Sequence, residues 1–128
     1  MADSEKITIN LGAVDLGKID LLVEEGFYGN RADFIRTAIR NQLDSNGEMV
    51  RQVTVRRDFV IGALSYNRKD LEKYREKGEK VSLQVIGTLM LDDDIPAELV
   101  QATISKVRVY GALRASDEVR EILAKIRG

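Results

Sequence analysis

Cysteine and histidine are both absent from these 128 residues. Without thiols there is no disulfide framework, no thiolate metal site and no cysteine nucleophile. Without imidazole the commonest acid–base catalyst and most transition-metal chemistry are excluded as well. Tryptophan is also missing and aromatics make up only 5% of the chain, so the core must be assembled from Ile, Leu and Val. The uncharged apolar runs are a few residues long, far short of the roughly 20 that a membrane span needs. The polar, acidic opening, residues 1–6, does not read as a secretory signal, and a cytoplasmic location is the expectation. No phosphate-binding loop and no carboxylate pair in a recognisable setting is present, so neither an enzyme nor a cofactor is expected. What remains is 44% hydrophobic and 32% charged residues, the balance of a folded, water-soluble protein.

The chain reads as two parts, residues 1–47 and 48–128. In the first, Lys6-Ile7-Thr8-Ile9-Asn10-Leu11 alternates polar and apolar strictly, the pattern of a strand with one buried face. Gly12 breaks it. Val14, Leu16, Ile19, Leu22 and Val23 then follow helical spacing over 13–25, and Gly26 ends that helix. Asn30 is a good N-cap for a second helix from Arg31 to about Leu43, with Asp33 in the first turn to complement the helix dipole. Phe34, Ile35, Ala38, Ile39 and Leu43 form its apolar stripe, and Asn46-Gly47 reads as a stop.

One strand and two helices cannot stand alone. The strand would leave both edges unpaired, and so short a unit buries too little apolar surface. A second copy solves both problems, with two strands pairing antiparallel across a two-fold axis and four helices closing over them. Ile7-Thr8-Ile9-Asn10-Leu11, Leu22-Val23-Glu24-Glu25-Gly26 and Tyr28-Gly29-Asn30-Arg31-Ala32-Asp33-Phe34-Ile35-Arg36 resemble the ribbon-helix-helix family of DNA-binding proteins, the CopG/Arc/MetJ group. Gly12 stands where that family often has Pro, and Asn30 where it often has Ser. The resemblance implies an obligate homodimer whose ribbon enters the major groove of double-stranded DNA, with Lys6, Thr8 and Asn10 contacting base edges. Their chemistry suits that role: Lys donates to guanine O6/N7, Asn pairs with adenine, and Thr offers a hydroxyl and a methyl. The resemblance also implies phosphate contacts at the start of the second helix, at Asn30 and Arg31. Nickel sensing, found in regulators of this build, needs the His and Cys that are missing here.

Charge argues the other way. Residues 1–47 hold five Lys/Arg against eight Asp/Glu, a net of −3, whereas nucleic-acid binders usually present a basic surface. Asp3 and Glu5 stand close to the ribbon face.

The second part carries a repeated pattern. Val60-Ile61-Gly62-Ala63-Leu64 recurs as Val85-Ile86-Gly87-Thr88-Leu89 and as Val109-Tyr110-Gly111-Ala112-Leu113, the glycines 25 and 24 residues apart. Each copy precedes a helical pattern: residues 69–77, then 96–104 beginning with Pro, then 116–127 with Ser116 as cap and Val119, Ile122, Leu123 and Ile126 as the stripe. Strand-helix units of this length are expected to stack as a parallel sheet with helices on one side, a short right-handed solenoid. The period is that of leucine-rich repeats, without their Asn ladder, so the similarity is one of architecture only. Gly87, in the middle unit, is expected to tolerate substitution least. Val53-Thr54-Val55 reads as a further strand followed by Arg56-Arg57, a pair of cations available to phosphate near the linker. Asp92-Asp93-Asp94 reads as a solvated turn, because consecutive carboxylates in an extended chain alternate faces.

The expectation is therefore a mixed α+β/α/β chain: a ribbon-helix-helix dimerisation unit followed by a three-repeat, solenoid-like domain that assembles dimers or senses a signal. Function is expected to be that of a DNA-binding transcriptional repressor. The competing expectation is a self-assembling scaffold in which the ribbon unit only dimerises.

Overall fold

The computed structural model describes residues 4–127. Their elements run α1 (Ala13–Glu24), α2 (Arg31–Ser45), α3 (Gly47–Arg56), β1 (Val60–Tyr66), α4 (Arg68–Glu76), β2 (Val81–Leu91), α5 (Ala97–Thr103), β3 (Ile104–Arg114) and α6 (Asp117–Lys125). Two compact units, Met1–Gln52 and Val53–Gly128, divide within α3.

In the first unit, residues 4–12 form no strand in the single chain. The reason is the nature of a strand, which exists only through its ladder; the partner expected for this segment is a second copy. Beyond it, α1 ends as its sequence requires. Gly26 takes φ 85, and the Phe27 and Gly26 amides donate to the carbonyls of Leu22 and Val23, a closing turn that only a residue free of a Cβ enters at no steric cost. Asn30 caps α2 by accepting the Asp33 amide at 2.7 Å.

The expected stop at Asn46-Gly47 is a turn of one residue, after which the chain re-enters a helix. The segment 53–55 is therefore helical, not a strand. Three β-branched residues in a row favour a strand only where a neighbouring strand can pair with them. Among the described residues none does, since the sheet ends at β1. Glu48 instead holds Arg51 across one helical turn (2.6 Å). Arg56 and Arg57 accordingly close a helix, and Asp58, at φ 56, turns the chain towards β1.

The second unit is a three-stranded parallel sheet in the order β1-β2-β3. Its register aligns Gly62 with Gly87 and Gly87 with Gly111, and the flanking Val and Leu positions likewise. Each strand is followed by a helix, and the sheet shares one core with all three, through Leu71 of α4, Leu99 and Val100 of α5, and Val119 and Leu123 of α6. Val85 and Leu89 are fully buried against those helices. Among the described residues the buried polar side chain is that of Thr103, which donates to the Leu99 carbonyl at 2.6 Å. Asn67 and Asp70 form a capping box on α4, and Ser116 accepts the Val119 amide on α6.

The three glycines are not interchangeable with other residues, because φ is 128, 137 and 124. A Cβ on Gly87 would collide with the carbonyl of Gly62, and one on Gly111 with that of Gly87. Gly87, expected to tolerate substitution least, is the most crowded of the three; Gly111 is slightly less so, and Gly62 faces open space. Crowding follows the side on which the preceding strand lies, so having neighbours on both sides adds nothing. The Asp92-Asp93-Asp94 turn is exposed, and among the described residues no acidic cluster is placed to hold a metal ion.

Candidate nucleic-acid interface

Apolar residues that have nowhere to go define this region. Along the N-terminal arm, Ile7 is 77% and Ile9 64% exposed, and Leu11 is 39% exposed. Exposure of alternate Ile and Leu side chains on so short a segment is costly, at about 25 cal/mol for each Å² left in water. The arm borders an open groove of about 700 Å³ whose other walls are Ile19 of α1 and Phe34, Ile35, Ala38 and Ile39 of α2. Those α2 residues are the stripe read from the sequence, and in the single chain the stripe lacks a cover.

The polar residues of the arm, Lys6, Thr8 and Asn10, are all exposed. Lys6 also lines the groove, together with Glu5 and Arg36. Asp3, expected near this face, lies outside the described residues.

Asn30 and Arg31 stand at the start of α2, and neither lines the groove. Each is already engaged. The Asn30 side-chain oxygen is the helix cap. Asp33 in turn accepts the Gly29 amide at 2.8 Å, so loop and helix start are fixed by two short hydrogen bonds. The Tyr28 ring meets Phe34 edge to face with centroids 5.0 Å apart, pinning the loop to the same helix. Arg31 donates from Nε and Nη2 to the two oxygens of Asp20, at 2.7 and 2.8 Å, a bidentate pair joining α1 to α2. Those hydrogen bonds, reinforced by the charge of Arg31, hold the Asp20 carboxyl below its usual pKa. The guanidinium keeps the two N–H groups of Nη1 outside that pair.

Sequence reasoning missed Asp20 and Arg36. The Asp20–Arg31 pair spans two helices across the intervening turn, and no local spacing rule reveals such a pair. Arg36 could have been found by placing it one turn along α2 from Ala32 on the stripe side.

The model of the ribbon-helix-helix transcriptional regulator family matches residues 2–120. The match runs far beyond the arm and its two helices, through all three strands of the sheet. No curated protein and no solved structure matches the chain.

Proposed function

The chain belongs to the ribbon-helix-helix transcriptional regulator family, and from that premise we propose that it acts as a homodimeric DNA-binding repressor in the cytoplasm. The observation that carries the reading is the uncovered groove beside the arm. A second copy laid antiparallel along residues 6–11 completes both ladders and covers Ile7, Ile9 and Leu11 on the helical side. The opposite side of such a ribbon then presents Lys6, Thr8 and Asn10 twice over, at a width that enters the major groove. Arg31 meets phosphate through Nη1 while Asp20 fixes the plane of its guanidinium, and the free amides of the first turn of α2 add to the same contact. No helix among the described residues is long and apolar enough to cross a membrane.

The acidic balance of residues 1–47, five cations against eight anions, favours a second reading, a scaffold in which the ribbon unit only dimerises. Gel-shift titration against genomic fragments, including the DNA upstream of the protein's own gene, at two salt concentrations separates the two. Salt-sensitive, fragment-selective retardation is expected. Lys6→Ala, Thr8→Ala and Asn10→Ala combined should erase the selectivity. Arg31→Ala should weaken all fragments alike and flatten the log–log salt dependence by about 0.9 for each phosphate that the variant no longer neutralises. Absence of salt-sensitive binding to every fragment leaves the scaffold reading in its place.

A further inference from the structure

The three V-x-G-x-L strands stand in one parallel register, so among the described residues the sheet has two different outer edges, that of β1 and, beyond the Val107–Arg127 bridge, that of β3. Each internal junction matches the same positions: Val60 with Val85 and Val85 with Val109, Gly with Gly, Leu64 with Leu89 and Leu89 with Leu113. The two outer edges consequently carry the two halves of a junction already built twice inside the molecule. We propose that the second unit associates head to tail with a second copy of this chain, β3 of one adding in parallel to β1 of the next with Gly111 opposite Gly62.

Three observations support that occupant over any other. Gly62 keeps φ 128, the conformation of its two counterparts, yet a Cβ there would meet nothing within 4 Å. At Gly87 and Gly111 the same direction points into the carbonyl of the preceding glycine. The open space at Gly62 is therefore the seat of a preceding strand's carbonyl, and Gly111 of another copy supplies one in register. Secondly, apart from Val55 on α3, the large apolar side chains that this unit exposes stand on the two outer strands: Val60 is 46% and Ile61 63% exposed on β1, and Tyr110 45% exposed on β3. Parallel sheets are seldom left so open, since their backbone and side chains are normally covered. Thirdly, among the described residues the C-terminal segment obstructs little. The bridge from Val107 to Arg127 covers β3 below the stretch that β1 matches, because Val60 is in register with Val85 and that with Val109. On the matching stretch, Arg120 reaches the Leu113 carbonyl at 3.3 Å, and its side chain is long enough to swing aside.

A head-to-tail contact does not close on itself. Added to a two-fold dimer it links dimers into chains, with no new element required. Because the protein has no cysteine, the register can be read directly by thiol cross-linking of the full chain without DNA. Ser65 and Arg114, both exposed, become neighbours across the junction, just as Ser65 and Met90 are inside the sheet. The double variant Ser65→Cys/Arg114→Cys, treated with a short bifunctional maleimide, should give a ladder of products above two chains, and each single variant none. A two-chain product from Ser65→Cys alone would mean antiparallel β1–β1 pairing and would overturn the proposal. So would a double variant that yields no product while the unmodified protein keeps one mass across a hundredfold concentration range in sedimentation velocity. Ile61→Lys, at an exposed position that leaves the core untouched, should return large species to dimers with an unchanged circular dichroism spectrum; assemblies that persist count equally against it.

Discussion

Of the buried apolar residues described, Ile19 alone belongs to the first unit, while Phe59 and all the rest belong to the second. Two neighbouring stretches of one chain thus have opposite kinds of stability. The second unit keeps its apolar stripes inside: α4, α5 and α6 turn theirs onto a sheet whose Val and Leu positions are already in register. The first unit keeps its stripes on the surface, with Leu21, Phe27, Ile39 and Leu43 exposed besides the arm. A unit that closes its core within one chain draws its stability from that chain. A unit that leaves its core open would draw it from association, as in the proposed dimer, and its stability is then expected to depend on concentration.

The difference should show most strongly at the arm. Ile9→Pro removes a ladder donor next to the proposed two-fold axis, and by symmetry does so twice. Each unmade buried hydrogen bond costs about 1–3 kcal/mol, enough to dissolve a dimer held by one ribbon. In the Ile61→Lys background, which removes the strand-addition contact, the expected outcome is halved mass in sedimentation equilibrium, with the strand signal of the second unit retained. An undiminished dimer would mean that the first unit closes by some other surface.

Next in size are the substitutions inside the second unit. Gly87→Val and Gly111→Val each combine backbone strain, about 1–3 kcal/mol, with overpacking of similar size. Gly62→Val carries the strain alone, since no atom stands in its way. Denaturant unfolding should place Gly87→Val lowest, Gly111→Val close above it and Gly62→Val nearest the parent. Leu89→Ala, at a fully buried position, should cost about 2–5 kcal/mol at any protein concentration. Ile39→Ala, on the open groove, should lower the melting temperature more the further the protein is diluted. If Ile39→Ala shows no such dilution effect, the contrast between the units is not one of self-sufficiency.

Self-sufficiency also governs what was legible in the sequence. Alternation over 6–11 and the stripe of α2 announce a buried face, and periodicity does not care whether the covering atoms belong to the same chain. The parallel register of the glycines was readable because the V-x-G-x-L pattern repeats its own spacing. Residues 53–55 misled because β propensity reflects a pleated neighbour, and within the described chain no fourth strand lies beside β1. Gly87 is the most crowded glycine, as expected, but for a finer reason than neighbours on both sides: a Cβ there faces the preceding strand's carbonyl, a side set by φ, and φ is not written in the residue type. Of the candidate site, alternation groups Lys6, Thr8 and Asn10 on one face; the arm is exposed throughout in the single chain, and their contact with DNA is a proposal. The pairing of Arg31 with Asp20 was not, because it depends on how two helices are brought together by a glycine turn.

The smallest effect concerns that pair. Asp20 and Arg31 are both about half exposed, where an ion pair is screened by water and salt and contributes little. Its signature is therefore a pH dependence and not a large loss. The folded-state pKa of Asp20 lies below its usual value because Arg31 hydrogen-bonds the ionised form. A carboxyl depressed on folding contributes stability above its unfolded pKa, near 3.9, and loses it as pH falls through the lower folded value. Asp20→Asn keeps the shape and one acceptor but removes the titration. The parent should thus unfold at slightly higher denaturant than Asp20→Asn at pH 7, and the gap should narrow steadily as the pH falls below the ordinary carboxylate range. A gap of the same width at pH 7 and well below that range would show that the two helices are held by Phe34 and its apolar neighbours, with the charge pair only orienting Arg31.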